Sequence, residues 1–339
     1  MLFYSIIYIA LFISSLAPPK NKLIFYLTIL FFSFLIGFRA ESVGTDTGSY
    51  MDIYEANKDG YIGYPEPLYG YLCRFGGFCG MPFYVFQALL SLITLSLAGK
   101  TIIKYSPNIQ LSLLCMFGMY FIFYAMNINR QVEACFIILY AYHFLYQRKK
   151  IWFVVWVIIA AGLHAASLIL LPLLFIHRFQ ISSGKVVWTL LSLSFIFGLF
   201  LGTVFFDWIA GSYAHYLDGS DGMREGNRTA LSIALAMYWM MGFAGIWYTM
   251  RGNLKNTFFF KLYLLSLIVS NLTLKLELGL RVVLLFSIGQ VVFYPMYAYN
   301  SRLSRRTAIC CVACYLAIFF LVFVRNNSAD VVPYVLTHF

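Results

Sequence analysis

Apolar residues in this chain come in unbroken runs of helical length, with no strand-like alternation. They lie near 2–17, 23–38, 82–99, 108–126, 131–147, 186–206, 230–250, 257–274, 279–298 and 307–324. Each run predicts a helix that is apolar on every side and so suited to hydrocarbon surroundings. A transmembrane barrel needs ten-residue segments of alternating polarity, a pattern this sequence does not follow. The stretch 151–177 is too long for one simple crossing and carries Gly162-Leu163-His164 in its middle. It predicts either one tilted helix or two short helices that turn at His164.

Composition turns these runs into a class. Of 339 residues, 62% are hydrophobic and only 11% charged, with mean hydropathy +0.80, whereas a soluble domain carries about 25% charged residues. The expectation is an all-α, polytopic integral membrane protein, a single transmembrane domain over 1–339 with no soluble catalytic domain. Two segments, 39–81 and 207–229, are polar enough to be long outer loops. The first segment lacks a basic n-region, so a cleaved signal peptide is not expected.

Charge orients the chain. A net +11 would point to nucleic acid in a soluble protein, but here the bases are scattered singly and in small groups between apolar runs. That is a topology signal, and no nucleic-acid partner is expected. If 151–177 is a hairpin, one set of connections holds Lys20, Lys22, Lys100, Lys104, Arg148, Lys149, Lys150, Arg178, Lys185, Arg251, Lys255, Arg302, Arg305 and Arg306, and no acid. All 13 acidic residues fall on the other side. A single crossing there would put Arg302, Arg305 and Arg306 outside, against the positive-inside rule. The hairpin reading gives about 11–12 transmembrane segments, two of them short, with both termini and both long loops outside, in the periplasm.

Cysteine use adds little. Cys115, Cys135, Cys310, Cys311 and Cys314 lie in apolar runs as small packed side chains, while Cys73 and Cys79 share the first outer loop and would be placed to pair if it is periplasmic. No metal site is expected: His143, His177 and His338 have no spaced partners, and His215 sits in a Gly-Ser-Asp-Gly-rich loop.

The outer side holds bases that topology does not require. Arg39 ends the second run, Arg130 begins the fifth, His164 marks the hairpin and Arg281 begins the ninth. An arginine beside an apolar helix needs a partner. A phosphate group suits the guanidinium fork; a nearby carboxylate would serve as well, Glu133 at i+3 for Arg130 or Glu277 at i−4 for Arg281. Outer-loop tyrosines, among them Tyr50, Tyr54, Tyr61, Tyr64, Tyr213 and Tyr216, are candidates for stacking on sugar rings.

The most specific stretch is Gly37-Phe38-Arg39-Ala40-Glu41-Ser42-Val43-Gly44-Thr45-Asp46-Thr47-Gly48-Ser49-Tyr50. A basic helix end followed by a glycine-rich, acid-bearing turn resembles the signature of EpsG-like and Wzy-type polysaccharide polymerases. Glu66-Pro67-Leu68-Tyr69 resembles that family's Glu-Pro turn, Asn129-Arg130-Gln131 its Arg-Gln helix start, Leu163-His164-Ala165-Ala166-Ser167 its His-containing hairpin, and Arg281 its late arginine. The ordered set covers residues 37 to about 290. It departs from the family at Leu163, where an aromatic residue is usual.

The resemblance implies a glycosyltransferase of the bacterial inner membrane, working at its periplasmic face. Such an enzyme joins oligosaccharide repeat units carried on undecaprenyl diphosphate into O-antigen or a related polysaccharide. It implies no cofactor, and as partners the lipid-linked oligosaccharide, membrane lipid, and a chain-length regulator and flippase of the same pathway. Arg39, Arg130 and Arg281 are the expected cradle for the departing diphosphate. Asp46 or His164 is the expected base at the acceptor hydroxyl, although Asp46 has the alternative of capping its own turn and His164 of being a hydrogen-bonded turn residue. Gly44, Tyr50, Glu66, Asn129 and Glu277 complete the expected substrate-binding set. A lipid-linked oligosaccharide transporter is the alternative in another class. The near absence of charge inside the helices speaks against it, since transporters carry polar, broken helices at the midplane. An O-antigen ligase or a membrane acyltransferase acting on the same glycans also remains open.

Overall fold

The structure is a computed structural model that describes residues 1–58, 66–181, 183–200, 222–274, 279–327 and 329–337, with the backbone alone at 222–231 and 280. Among the described residues it is all-helical, relieved by two isolated β-bridges, Arg39 with Leu336 and Met250 with Ser301.

The α-helices are α1 (Leu2–Leu16), α2 (Lys22–Gly37), α3 (Thr47–Lys58), α4 (Pro67–Phe78), α5 (Phe83–Tyr105), α6 (Ile109–Gly118), α7 (Phe121–Ala125), α8 (Asn129–Tyr146), α9 (Lys150–Leu163), α10 (Gly184–Phe200), α11 (Gly222–Thr249), α12 (Phe258–Leu272), α13 (Gly279–Ser287), α14 (Gln290–Tyr299) and α15 (Arg305–Asn326). A 3-10 segment, Ala165–Arg178, follows α9. Their ends obey local chemistry. Pro18-Pro19 closes the first run, and Asn21, Asn108 and Ser304 each accept a first-turn backbone N–H with the side chain. Pro67 opens α4 at N1, where its missing N–H costs nothing.

By length and composition, α5 and α15 are long and apolar enough to cross a bilayer, and the broken pair Arg281–Ser287 with Gln290–Tyr299 qualifies if counted as one span. Among the described residues seven further apolar helices have 10–17 residues, shorter than the ~20 of a full crossing.

The structure interrupts two expected helices, the run 279–298 between Ser287 and Gln290 and the run 108–126. The run 108–126 breaks at Met119-Tyr120, where Tyr120 adopts φ +69°. Tertiary contacts select that conformation: the Tyr120 hydroxyl donates to the Phe319 carbonyl, and its ring stacks on Phe323 with centroids 3.8 Å apart. The break expected at His164 is present as the end of α9, with His164 in extended conformation (φ −154°, ψ 111°).

The first expected loop is largely helical, since α3 and α4 pack on one another within 39–81. Tyr61 and Tyr64 fall outside the described residues, as do Tyr213, Tyr216 and His215 of the second loop. The Cys73–Cys79 pairing is not made: Cys73 is buried, Cys79 exposed, and both are free thiols. Six positions apart around α4, they point to different faces of the helix.

The chain divides into two compact units. The first comprises Met1–Leu174, Val291–Tyr299 and Leu303–Phe339. At one of its ends Asn108 donates to the Ser15 carbonyl (2.8 Å), Gln110 to that of Asn21 (2.7 Å), and Tyr105 pairs with His143 Nδ1 (2.8 Å). Exposed Lys20, Lys22, Lys104, Arg148, Lys149 and Lys150 belong to these turns. The opposite end gathers the start of α1, the exit of α2, α3, α4, the start of α8 and the tail 329–337. The bases without acids thus gather at one end of this unit.

The second unit comprises Phe175–Gln290 and Asn300–Arg302. Here α10 packs on α12, with Asn271 Nδ2 donating to the Leu191 carbonyl (3.2 Å) and to Ser194 Oγ (3.0 Å). Phe243, Trp247, Phe260 and Tyr263 form an aromatic cluster beside them.

Candidate active site in the first unit

Five sequence segments meet at the end of the first unit that carries acids. The exit of α2 delivers Arg39, whose side chain is 3% exposed although it lies beyond the helix. Its Nε donates to Thr47 Oγ1 (3.1 Å), its Nη1 donates to the Ile36 carbonyl, and its Nη2 is buried without a hydrogen-bond partner. Burial pulls the guanidinium pKa down to about 10, leaving it charged at neutral pH.

The turn after Arg39 is built by backbone. Gly44 adopts φ +89°, donates its N–H to the Asp330 carbonyl (2.8 Å), and would place a Cβ 2.3 Å from the Met126 carbonyl oxygen. Only glycine fits both conditions. Thr45 Oγ1 (2.6 Å) and the Asp46 N–H (3.2 Å) both donate to Asn127 Oδ1. This part of the turn is therefore tied down by Asn127, and Asp46 stands half-buried at the start of α3. Gly44→Ala is expected to cost at least about 1–2 kcal/mol from the left-handed backbone alone, more with the carbonyl clash. A thermal melt of the detergent-solubilised variant measures it.

Four residues further along the chain, α3 supplies Tyr50, and α4 supplies Tyr69; both rings are buried, 7% and 0% exposed. The Arg130 guanidinium lies over both, 5.6 Å from the Tyr50 centroid and 5.5 Å from that of Tyr69, a cation–π arrangement. Burial raises both phenol pKa values, so both stay neutral. Arg39 is an electrostatic neighbour of the same two phenols. Two arginines that lie 91 positions apart therefore share one pair of tyrosines.

Arg130 Nη1 donates to Glu66 Oε2 at 2.8 Å, with both side chains largely buried. The other oxygen, Glu66 Oε1, stands 3.6 Å from His164 Nδ1, ion-pair range for a protonated imidazole and longer than a hydrogen bond. Glu66 thus bridges Arg130 and His164 across the start of α8 and the end of α9. The i+3 partner expected for Arg130 is displaced: Glu133 turns into the bundle and Glu66 takes its place. Helix geometry allowed the local pair, but Glu133 found hydrogen-bond donors on α5 instead. Asn129, fully buried, donates to the Ala125 carbonyl (3.0 Å) and to Glu133 Oε1 (3.3 Å), anchoring the helix start that aims Arg130.

Arg39, Gly44, Asp46, Tyr50, Glu66, Asn129, Arg130 and His164 all belong to the first unit. Arg281 is exposed at the start of α13 in the second unit, and Glu277 falls outside the described residues. Sequence reading gave no role to Tyr69, Thr47 or Asn127, nor to the tail. A fully buried tyrosine after a Glu-Pro turn carries no signal of its own partners. Among the described residues no three His, Cys, Asp or Glu side chains converge as a metal site.

The tail is the largest unpredicted contributor. Residues 335–337 pair with 38–40 in a short antiparallel bridge, Ala40 N–H to the Val335 carbonyl (2.8 Å) and Thr337 N–H to that of Phe38 (2.9 Å). Tyr4 OH donates to the Val331 carbonyl (2.7 Å) and Tyr334 OH to that of Leu35 (3.1 Å).

No curated protein and no solved structure matches this chain. The description EpsG family matches residues 22–336, nearly its whole length and every segment of this site, and the chain belongs to that family.

Proposed function

We propose that this protein is a membrane polysaccharide polymerase that joins oligosaccharide repeat units carried on undecaprenyl diphosphate, at the periplasmic face of the bacterial inner membrane. EpsG family membership supports the class of reaction. The observation that carries the site is the Arg130 guanidinium over Tyr50 and Tyr69, with Glu66 linking Arg130 to His164.

In this reading the acceptor sugar hydroxyl attacks the anomeric carbon of the donor. The bond from that carbon to the diphosphate oxygen breaks, and the lipid diphosphate leaves with the electron pair. Arg39 and Arg130 offset the charge that grows on it. His164 takes the hydroxyl proton, and Glu66 stabilises the resulting imidazolium as a carboxylate does in an acid–base dyad. That assignment prefers His164 to Asp46 as base, because Glu66 already faces Nδ1. Asp46 then orients the acceptor. An open apolar groove between α2 and α5, lined by Leu27, Leu30, Phe34, Val85 and Leu89, suits the polyprenyl chain. A flippase and a chain-length regulator are the proposed pathway partners.

Incubating the purified protein with a lipid-diphosphate repeat unit and sizing the products tests the proposal. The expected result is a ladder of multiples of the repeat with release of the lipid diphosphate. Transfer to lipid A core alone would indicate a ligase, and no transfer would overturn the enzyme reading.

A further inference from the structure

Among the described residues Glu133 is the most deeply buried carboxylate of the first unit, and it takes no part in the mechanism above. It lies one turn into α8 with 0% exposure, among apolar neighbours such as Val132, Phe136 and Ile137. Its Oε1 accepts from Ser91 Oγ, from Gln87 Nε2 (3.3 Å) and from Asn129 Nδ2 (3.3 Å), and its Oε2 accepts from Thr94 Oγ1. Each of these donors is neutral. They satisfy the oxygens but not the charge, and a carboxylate buried in an apolar bundle needs a cation within reach.

Arg130 is committed to Glu66. Arg39 is the cation on that side: Gly37, two residues before it, packs directly on Ala88 of α5, next to the Gln87 that donates to Glu133, and the two charges interact across that packing. Arg39 shows the complementary deficit: its printed bonds run to a hydroxyl and a carbonyl, and its Nη2 is buried without a partner. Each arginine of the site thus has its own carboxylate, one in direct contact and one through space.

We propose that Glu133 is the buried counter-charge of Arg39, a positioning residue that sets how strongly the site retains an anion. The inference rests on the reading of this site as a diphosphate cradle. With Glu133 ionised, Arg39 is partly offset, so a diphosphate binds and can still leave. Neutralising Glu133 leaves an uncompensated guanidinium that holds the departing diphosphate too long.

The test compares full-length wild type with Glu133→Gln, Arg39→Met and the double variant in detergent. Calorimetric titration with farnesyl diphosphate, a short soluble isoprenoid diphosphate, reads anion retention. Glu133→Gln is expected to bind it about tenfold tighter, with both KM and kcat for the lipid-linked unit reduced. Equal or weaker binding overturns the proposal. Thermal melts of the same four proteins form a cycle that needs no ligand. The double variant is expected to lose less stability than the two single losses together, and simple additivity overturns the charge pairing. If Glu133→Gln fails to fold alone, recovery in the double variant supports the pairing and continued failure overturns it. Wild type that binds no farnesyl diphosphate sinks the cradle reading, and the melts still decide the pairing.

Discussion

Arg130→Ala is expected to abolish chain extension, leaving cells with single repeat units on their lipopolysaccharide while the protein still inserts in the membrane. The residue has three roles at once. In the proposed mechanism it supplies a charge for the diphosphate, in the structure it lies over Tyr50 and Tyr69 at about 5.5 Å, and it neutralises Glu66 at 2.8 Å. Losing a charge-stabilising donor at a reacting centre costs roughly 100- to 1000-fold in rate. Glu66, 8% exposed in the intact site, would also lose its cation, and breaking a buried pair from one side costs about 3–5 kcal/mol. Arg130→Lys keeps a charge near Glu66 but loses the planar fork over the rings, so activity should recover only slightly. Glu66→Gln isolates the other half. It should retain most of the fold, slow transfer by a similar factor, and move the acidic limb of the pH–rate profile if Glu66 stabilises His164 in its protonated form. Long, normal ladders from Arg130→Ala would remove the cradle from the mechanism.

Ending the chain after Asn327 should be almost as damaging, with every helix left in place. Residues 329–337 supply the backbone partners of Ala40, Phe38 and Gly44, and the carbonyl that accepts from Tyr4. Without them the turn that carries Arg39 loses its antiparallel partner, and buried Val331 and Ala329 are no longer there to cover it. Helical circular dichroism is expected to change little, since the tail is not helical, while polymer synthesis falls to background. Restoring the tail as a separate peptide is expected to recover little, because the tethered segment pays far less entropy to bind. Wild-type product from the truncated chain would show that the bridge has no part in activity.

How much of this was legible beforehand differs by level. The helices were plain, because apolar runs of this length have no other stable form in lipid. The segment 37–50 announced itself as well, since a glycine-acid turn after a basic helix end is rare in so apolar a chain. Two readings failed for one reason. The Arg130–Glu133 pair and the continuous helix 108–126 both extrapolate from neighbours in sequence, and both were overruled by distant ones: Glu66 for Arg130, Ser91 and Thr94 for Glu133, Phe319 and Phe323 for Tyr120.

The sequence by itself determined that the chain is helical and membrane-embedded in composition, that its charge is sided, and that Arg39, Arg130 and His164 needed explanation. These follow from hydropathy and charge, properties each residue carries alone. Only the tertiary structure decided which carboxylate serves which arginine, that Tyr69 completes the site, and that residues 329–337 brace it. Those depend on which buried polar groups find each other once the apolar faces have packed. Separations of 64 positions between Glu66 and Arg130 and 327 between Tyr4 and Val331 leave no trace in any local pattern.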